Sequence, residues 1–461
     1  MTPQAALAQI WAETGLDSAI PNAAVLTGEG PGLPSSFHVG IAAVATIAAT
    51  GLAAAALWRL RTGRQQSVTV DLRHACADFR SERYLRLGNS AAPARRDRLS
   101  SLYRTADGWV RLHMNFAHHR EGVLRLLDCA PDPDAVSAAL RHWNAVDFET
   151  ASAAAGCAVT ALRSFAEWDA HLQGQATRTQ KLISITRIGD APPEPLPESA
   201  RPLGGISVLE LVRVIAGPLA GRTLAAHGAD VLNITGPGLP SDVVADLARG
   251  KLSAQLDLKS SQGRATLADL IRGADVFVQG YRPGAIASQG FSPVETTALR
   301  PGIVHAALSA YGPAGPWSAR RGFDSLVQTA SGFNVAEAEA AGAATPQALP
   351  AQALDHATGY LPATGIMAAL HRRATEGGTW HVEVSLVRTG HWLRNLGRLA
   401  DGLAAPDQTA ADIADLLDTA PSGFGDMQAI RHSAILSETP TRWDRPSVPL
   451  GTHRAVWPAR S

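Results

Sequence analysis

Three cysteines in 461 residues, Cys76, Cys129 and Cys157, are too few and too scattered for a disulfide framework, and no CxxC or Cys/His spacing marks a metal site. A reducing, cytoplasmic setting is the expectation. Net charge is also lacking, with 41 Lys plus Arg against 41 Asp plus Glu and no basic cluster. Without such a field neither nucleic acid nor an anionic membrane is an expected partner. The N-terminus has no basic stretch followed by an apolar run, so no secretory signal is expected. One stretch, Val39 to Trp58, is uncharged over 20 residues, long enough to cross a bilayer. It consists mostly of Ala, Thr and Gly, whose transfer energies are near neutral, and it reads as a buried helix of a soluble protein.

With 46% hydrophobic side chains the chain has material for a large core, and its length predicts roughly two to four domains. The proline-rich run 191–198 reads as a linker, because proline removes donors and fixes φ. Beyond it, Val208–Leu211, Asp230–Ile234, Asp275–Val278 and Ile303–Leu308 read as short apolar strands, with helical patterns at Ala220–Ala226 and Gln262–Arg272. Such alternation predicts an α/β protein with a Rossmann-like, doubly wound parallel sheet.

An internal repeat is visible. Residues 50–72 and 364–386 align without a gap at an offset of 314 and share nine of 23 positions. Each reads Thr-Gly, an Ala-rich helix, an Arg, a Gly turn and a Val-x-Val-x-Leu strand. At the same offset Asp355 falls on Ile41, so the first copy has no carboxylate there.

Asp355 stands in Leu354-Asp355-His356-Ala357-Thr358-Gly359, ahead of the second Ala-rich helix. Taken alone it reads as a helix N-cap. The runs Val208-Leu209-Glu210-Leu211-Val212-Arg213-Val214-Ile215-Ala216-Gly217-Pro218, Ala274-Asp275-Val276, Tyr281-Arg282-Pro283-Gly284 and Tyr311-Gly312-Pro313 change the weighing. Together with Asp355 they resemble the family III CoA-transferases, the group that includes formyl-CoA transferase, carnitine CoA-transferase and α-methylacyl-CoA racemase.

That resemblance implies a Rossmann-like CoA-binding half with a smaller α+β domain, coenzyme A as substrate, no metal, a carboxylic acid acceptor and an interlocked homodimer. It implies that Asp355 is a nucleophile, attacking an acyl-CoA to form an acyl-aspartyl anhydride and then an enzyme-CoA thioester. CoA contacts follow by the same route. Ile215 and Ala216 belong to the turn that lines the thioester, Leu256 and Lys259 lie beside the nucleotide, Tyr281 and Arg282 border the CoA, and Tyr311 sits near the acyl group. Taken singly, Lys259 reads as a solvated lysine and Tyr311 equally well as core packing. Gly217 permits close backbone approach, and Pro218 suits a first helical turn.

The order of segments differs from the family's. Tyr103-Arg104-Thr105-Ala106-Asp107-Gly108 is similar to the opening signature of the small domain, and Phe165-Ala166-Glu167-Trp168 to its later Glu-Trp helix. Both precede the nucleotide-binding half here. The resemblance therefore implies a second-half-like block at 1–195, a CoA-binding half carrying Asp355 at 201–390, and a closing segment at 391–461.

Several positions depart from the pattern. Formyl-CoA transferase has Gln where Ile215 stands, and Ile cannot hydrogen-bond a small polar acyl group, which leans toward a hydrophobic substrate. Thr235 and Gly236 replace a Glu and a basic residue, an expected loss of a phosphate contact, and Ser309 replaces a Lys. Phe323, beside Asp324, replaces the histidine of the racemase branch, so two-base proton transfer lacks its second base. Two other readings stand beside the transferase: a non-catalytic acyl-CoA-binding homologue, and a racemase or lyase using Asp355 as a base. His113, His118 and His119 lack metal spacing, and a substrate-facing role is set against ordinary packing. His356 reads as surface or supporting, since adjacent helical positions point about 100° apart.

Overall fold

The computed structural model describes residues 1–88, 90, 91, 97–237 and 245–458. The chain opens with α1 (Pro3–Thr14), β1 (Ala24–Thr27), α2 (Val39–Thr62), β2 (Val68–Asp71) and α3 (Leu72–Asp78). Asp71 caps α3 by accepting the His74 N–H. A single helical turn, α4 (Ser81–Tyr84), leads through β3 (Arg86–Leu87) and β4 (Ser90–Ala91) into a smaller α+β unit. That unit comprises β5 (Leu102–Arg104), β6 (Trp109–Leu112), α5 (Ala117–Leu127), α6 (Pro133–Leu140), α7 (Ala145–Ala154) and β7 (Val159–Ala161). Its antiparallel strands run in the order β5-β6-β7, over a core of their own that includes Val110, Leu112, Val123 and Phe148. The chain returns through α8 (Phe165–Ala170), started by a Ser164–Glu167 capping box, then α9 (Leu172–Thr177) and β8 (Ser184–Gly189).

The second part alternates as the sequence predicts. It runs β9 (Ser207–Leu211), α10 (Ala216–Ala226), β10 (Asp230–Thr235), β11 (Lys251–Gln255), α11 (Ser261–Arg272), β12 (Val276–Gln279), α12 (Pro293–Leu299) and β13 (Val304–Ser309). Then come α13 (Asp324–Ala330), α14 (Phe333–Ala341), α15 (Ala353–Glu376), β14 (Thr379–Ser385) and α16 (Leu386–Asn395), followed by β15 (Leu417–Ser422), β16 (Gly425–Ile430) and β17 (Ala434–Leu436). The polar run Lys251–Gln255 gave no apolar signal for β11; its lysine is buried because Glu210 pairs with it at 2.6 Å.

The main sheet has seven strands in the order β11-β10-β9-β12-β13-β14-β8, with β8 antiparallel at the edge. From β9 the chain moves outward to β10 and β11, then returns to β12 on the other side of β9. Strand order thus reverses between β9 and β12, and such a switch point opens a crevice beyond the carboxyl ends of the strands. The proline-rich run between β8 and β9 is extended and pinned, with Glu194 paired to Arg300 at 2.7 Å. Segments also interleave: β8 edges the main sheet, while β17 pairs with β2 in a three-stranded sheet ordered β1-β2-β17.

The two aligned segments fold alike. In each, a long helix leads to a strand that is parallel to one neighbour and antiparallel to an outer one, β2 between β1 and β17, β14 between β13 and β8. The uncharged stretch is the body of α2, buried against α15. Thr50 and Thr364, equivalent in the alignment, meet with their hydroxyl oxygens 3.0 Å apart. The glycines that follow fill equivalent roles, since a Cβ on Gly51 would come within 2.6 Å of Val68 and one on Gly365 within 2.6 Å of Val382. The two helices therefore cross about an approximate dyad at this threonine pair.

Behind this seam Arg222 of α10 is enclosed between two carboxylates, donating to Asp78 at 2.8 Å and to Asp246 at 3.0 Å. Asp78 also accepts from the Tyr360 hydroxyl at 2.7 Å and the Ser433 hydroxyl at 2.6 Å. Burial pushes the Asp78 carboxyl up, but Arg222 and the two hydroxyls outweigh it and hold it at about 2. Asp78→Asn leaves Arg222 one carboxylate short in a dry site, and urea unfolding at neutral pH is expected to show a loss of about 3–5 kcal/mol. In the wild type this contribution is complete above the ordinary carboxylate value and disappears as pH falls through about 2; the variant lacks that limb.

Candidate active site

Asp355 lies inside the first turn of α15, and the residue before that helix, Gln352, makes no side-chain cap. The capping work falls to Asp324, which heads α13 and accepts the Asp355 backbone N–H at 2.9 Å. Asp355 is therefore not the N-cap, and its carboxyl is left for other chemistry. It is only 6% exposed. Burial, and then the nearby Asp324 and Glu82 carboxylates, push the Asp355 carboxyl well above the usual range. The first turn of a helix favours a negative charge and works against that shift. Burial also raises Asp324, with the Asp355 N–H and Gln328 pulling the other way.

Close packing of three elements sets this position. Where α15 meets α10 the contact is a glycine: a Cβ on Gly359 would come within 2.8 Å of Leu219 Cβ and 2.9 Å of the Ala216 carbonyl oxygen. Gly217 likewise lets α10 lie against β9, where a Cβ would fall 2.5 Å from Val212. Between them Val214 takes φ 73°, a left-handed conformation costly for a β-branched residue. The strained turn sits at the carboxyl end of β9, at the switch point.

Two clefts reach Asp355, with Val214 and Phe323 lining both. The first, of about 280 Å³, is bordered by Arg213, Arg282, Arg321, Tyr281, His118 and His119. Arg213 lies over the Tyr281 ring at 4.9 Å, and Arg282 donates to the Ala319 carbonyl at 3.2 Å. Burial, then the charges of Arg282 and Arg213, lower the Arg321 guanidinium. His119 is pushed down to about 3 by burial, then by His118, Arg321, His113 and Arg213. Three crowded guanidiniums beside a neutral imidazole make a receptor for a polyanion. The second cleft, of about 350 Å³, opens toward the small unit and includes Arg111, His113, Asn115 and Ile215 in its lining.

The sequence-derived residues divide accordingly. Ala216, Tyr281 and Arg282 line the first cleft and Ile215 the second. Leu256 and Lys259 line neither; Leu256 packs beneath the sheet and Lys259 is exposed beyond β11. Tyr311 is a core residue, its ring against Trp317 at 5.1 Å and its carbonyl accepting from Gln173. Thr235 is buried at the end of β10, and residues 238–244 that follow the departure at Gly236 lie outside the described ones. His356 is not a surface residue: it is buried, 3.0 Å from Glu82 and stacked on Phe79. The histidine cluster does face the site, with His113 stacked on Phe323 at 3.6 Å. Sequence reasoning passed over Arg213, Arg321, Arg111 and Asp324. The last stood in plain view in Gly322-Phe323-Asp324, noticed only for the histidine missing at Phe323.

Comparison with known proteins adds a family. The sequence profile of CoA-transferase family III matches residues 10–192 and 203–445. The acetyl-coenzyme A transferase nodX of Hypoxylon pulicicidum is 36% identical over 204 residues, which cover 43% of this chain and 34% of that protein. An acyl-CoA transferase of Gibberella moniliformis is 31% identical over 320 residues, covering 63% of this chain and 55% of that one. A crystal structure of Rv3272 from M. tuberculosis superposes with a TM-score of 0.40 at 31% identity, over 42% of this chain and 57% of that one. The chain thus spans a third to just over half the length of these two relatives.

Gly359→Ala adds a methyl group to the crossing that sets Asp355. Helix propensity favours alanine by up to about 1 kcal/mol, but the carbonyl of Ala216 and the Cβ of Leu219 cannot swing aside. A net loss of about 1–2 kcal/mol in urea unfolding is expected, from overpacking worth about 1–3 kcal/mol.

Proposed function

Because the chain belongs to CoA-transferase family III, we propose that it moves coenzyme A between carboxylic acids through Asp355. The observation that carries this reading is a buried carboxyl at the meeting of two clefts, one of them walled by three arginines. Those arginines suit the phosphates of CoA, and the start of α10, which has no side-chain cap, turns its positive dipole end toward the same cleft. A poorly solvated carboxylate is a better nucleophile than one in water.

The chemistry balances without oxidant or reductant. The Asp355 carboxylate adds to the thioester carbonyl, the C–S bond breaks, and CoA leaves as thiolate from an acyl-aspartyl anhydride. The thiolate then attacks the Asp355 carbonyl of that anhydride, releasing the first acid as carboxylate and leaving CoA on Asp355 as a thioester. The acceptor carboxylate displaces the thiolate to form a second anhydride. Attack of the thiolate on the acceptor's carbonyl gives the new acyl-CoA and restores Asp355. In the same reading, 1–195 and 201–390 are the family's second and first halves joined in reverse order with 391–461 closing them, the cysteines are thiols of a reducing cytoplasm, and two chains pair.

Hydroxylamine trapping after incubation with acyl-CoAs is expected to mark the Asp355 peptide as a hydroxamate, and Asp355→Ala to lose the mark. Bound but unaltered thioesters would favour a binding protein, and solvent exchange of the α-proton without an adduct would favour a base. The nucleophile must be ionised, so acylation is expected to rise with pH through a limb above the ordinary carboxylate range. Asp324→Asn keeps an acceptor for the Asp355 N–H and removes a like charge; stopped-flow acylation should show that limb moved to lower pH.

A further inference from the structure

Attack by Asp355 drives an electron pair onto the acyl carbonyl oxygen, and acyl transfer is fast where hydrogen-bond donors already stand at that oxygen. Backbone N–H groups at the start of a helix are natural donors for it. Here they are taken. The Asp324 carboxylate accepts both the Leu354 and the Asp355 N–H, and the His356 N–H goes to the Gln352 carbonyl at 3.0 Å. Resting on the reading of Asp355 as acyl acceptor, we propose that the side-chain amide of Gln352 is a second catalytic group, donating to the acyl carbonyl oxygen as it becomes an oxyanion, with the Ser325 hydroxyl as its companion.

Gln352 is the residue before α15, one turn ahead of Asp355, and positions three apart share a helix face. Both line the cleft of about 350 Å³, and so does Ser325, which follows Asp324 in α13. The Gln352 amide does not cap its own helix, and among the described residues neither it nor the Ser325 hydroxyl meets a hydrogen-bonding partner. Neighbours in the same cleft are engaged. Arg83 donates to the Pro350 carbonyl at 2.5 Å, Ser100 Oγ to the Asn115 amide oxygen at 2.8 Å, and Glu82 meets His356 at 3.0 Å. Gln352 and Ser325 are both half-buried, so a ligand reaches them, while Val214, Ile215 and Phe323 of the adjoining wall carry no side-chain donor.

A neutral donor suits this place better than a cation. A guanidinium beside Asp355 would stabilise the carboxylate before attack as much as the oxyanion during it, which leaves the barrier where it was. An amide aimed at the carbonyl gains most after the charge has moved there. Addition of the Asp355 carboxylate gives a tetrahedral oxyanion held by the Gln352 N–H; the C=O bond re-forms as the C–S bond breaks, and CoA leaves as thiolate with no proton transferred. The same N–H serves the last step, when thiolate attacks the acceptor's carbonyl in the second anhydride.

Acylation of Asp355 by acetyl-CoA, butyryl-CoA, succinyl-CoA and benzoyl-CoA is timed across pH as the hydroxamate in peptide mass spectrometry, and thioester dissociation constants are measured in an Asp355→Ala background, where nothing reacts. Gln352→Met keeps the side chain's length and loses no internal hydrogen bond. Its plateau rate at high pH is expected to fall about 100-fold, the lower end of what one oxyanion donor supplies. The rising limb is expected to stay at the same pH and the dissociation constant to change by no more than about threefold, because the contact strengthens in the transition state. Ser325→Ala is expected to lose about tenfold. Gln352→Asn, with its N–H one methylene short, is expected to fall between the wild type and Gln352→Met, and it carries the same comparison if the methionine variant does not fold. A limb moved to higher pH with the plateau kept makes Gln352 a partner of the carboxylate and overturns the proposal, as does weaker binding with the plateau kept. An unchanged rate overturns it and leaves Asp355 as acyl acceptor intact. No label on the wild type from any of the four thioesters overturns both readings.

Discussion

A guanidinium held between two buried carboxylates joins parts of this protein that lie far apart in sequence. Arg222 belongs to α10, Asp78 to the end of α3, and Asp246 to the turn before β11, while Tyr360 of α15 and Ser433 of the closing segment donate to Asp78. Each charge removed from water costs several kcal/mol, and only the full set of partners offsets that. The cluster therefore tolerates one arrangement of these five segments. Tyr360 stands little more than a turn beyond Asp355, so the constraint reaches directly into the helix that carries the candidate nucleophile.

The seam between α2 and α15 adds a second constraint of a different kind. It is built from small side chains, with Thr50 against Thr364 and the glycines that follow each lying on a valine of the next strand. Small residues let helix backbones approach closely, and the approach fixes their rotation about one another more tightly than long side chains would. The duplication is nonetheless unequal in chemistry. Ile41 occupies the place of Asp355, so the approximate dyad relates a helix that bears a carboxyl to one that does not, and one candidate site is built rather than two.

Around Asp355 the electrostatics pull in opposite directions. Burial and then two neighbouring carboxyls oppose its ionisation, whereas the helix start favours it. A carboxyl balanced in that way is easily shifted by what enters either cleft. The left-handed Val214 lines both clefts, and such a conformation persists only where the surrounding structure over-determines it.

Local pattern in the chain carried a great deal. Apolar runs spaced by helical stretches specified the parallel sheet because strand and helix periods are written residue by residue. The motifs around Asp355 singled it out, the gapless repeat showed that Ile41 stands in its place in the first copy, and the turn chemistry of Gly217 and Pro218 set the start of α10. What lies across from Asp355 was not legible. Arg111, His113 and His119 come from more than 200 residues earlier, Asp324 takes over the cap that Asp355 looked suited to fill, and Tyr311 turns into the core. Which side chains share a cleft depends on how separately folded pieces pack, and only the tertiary structure settles that, because the burial and charge partners that choose one packing act between residues with no fixed spacing in sequence.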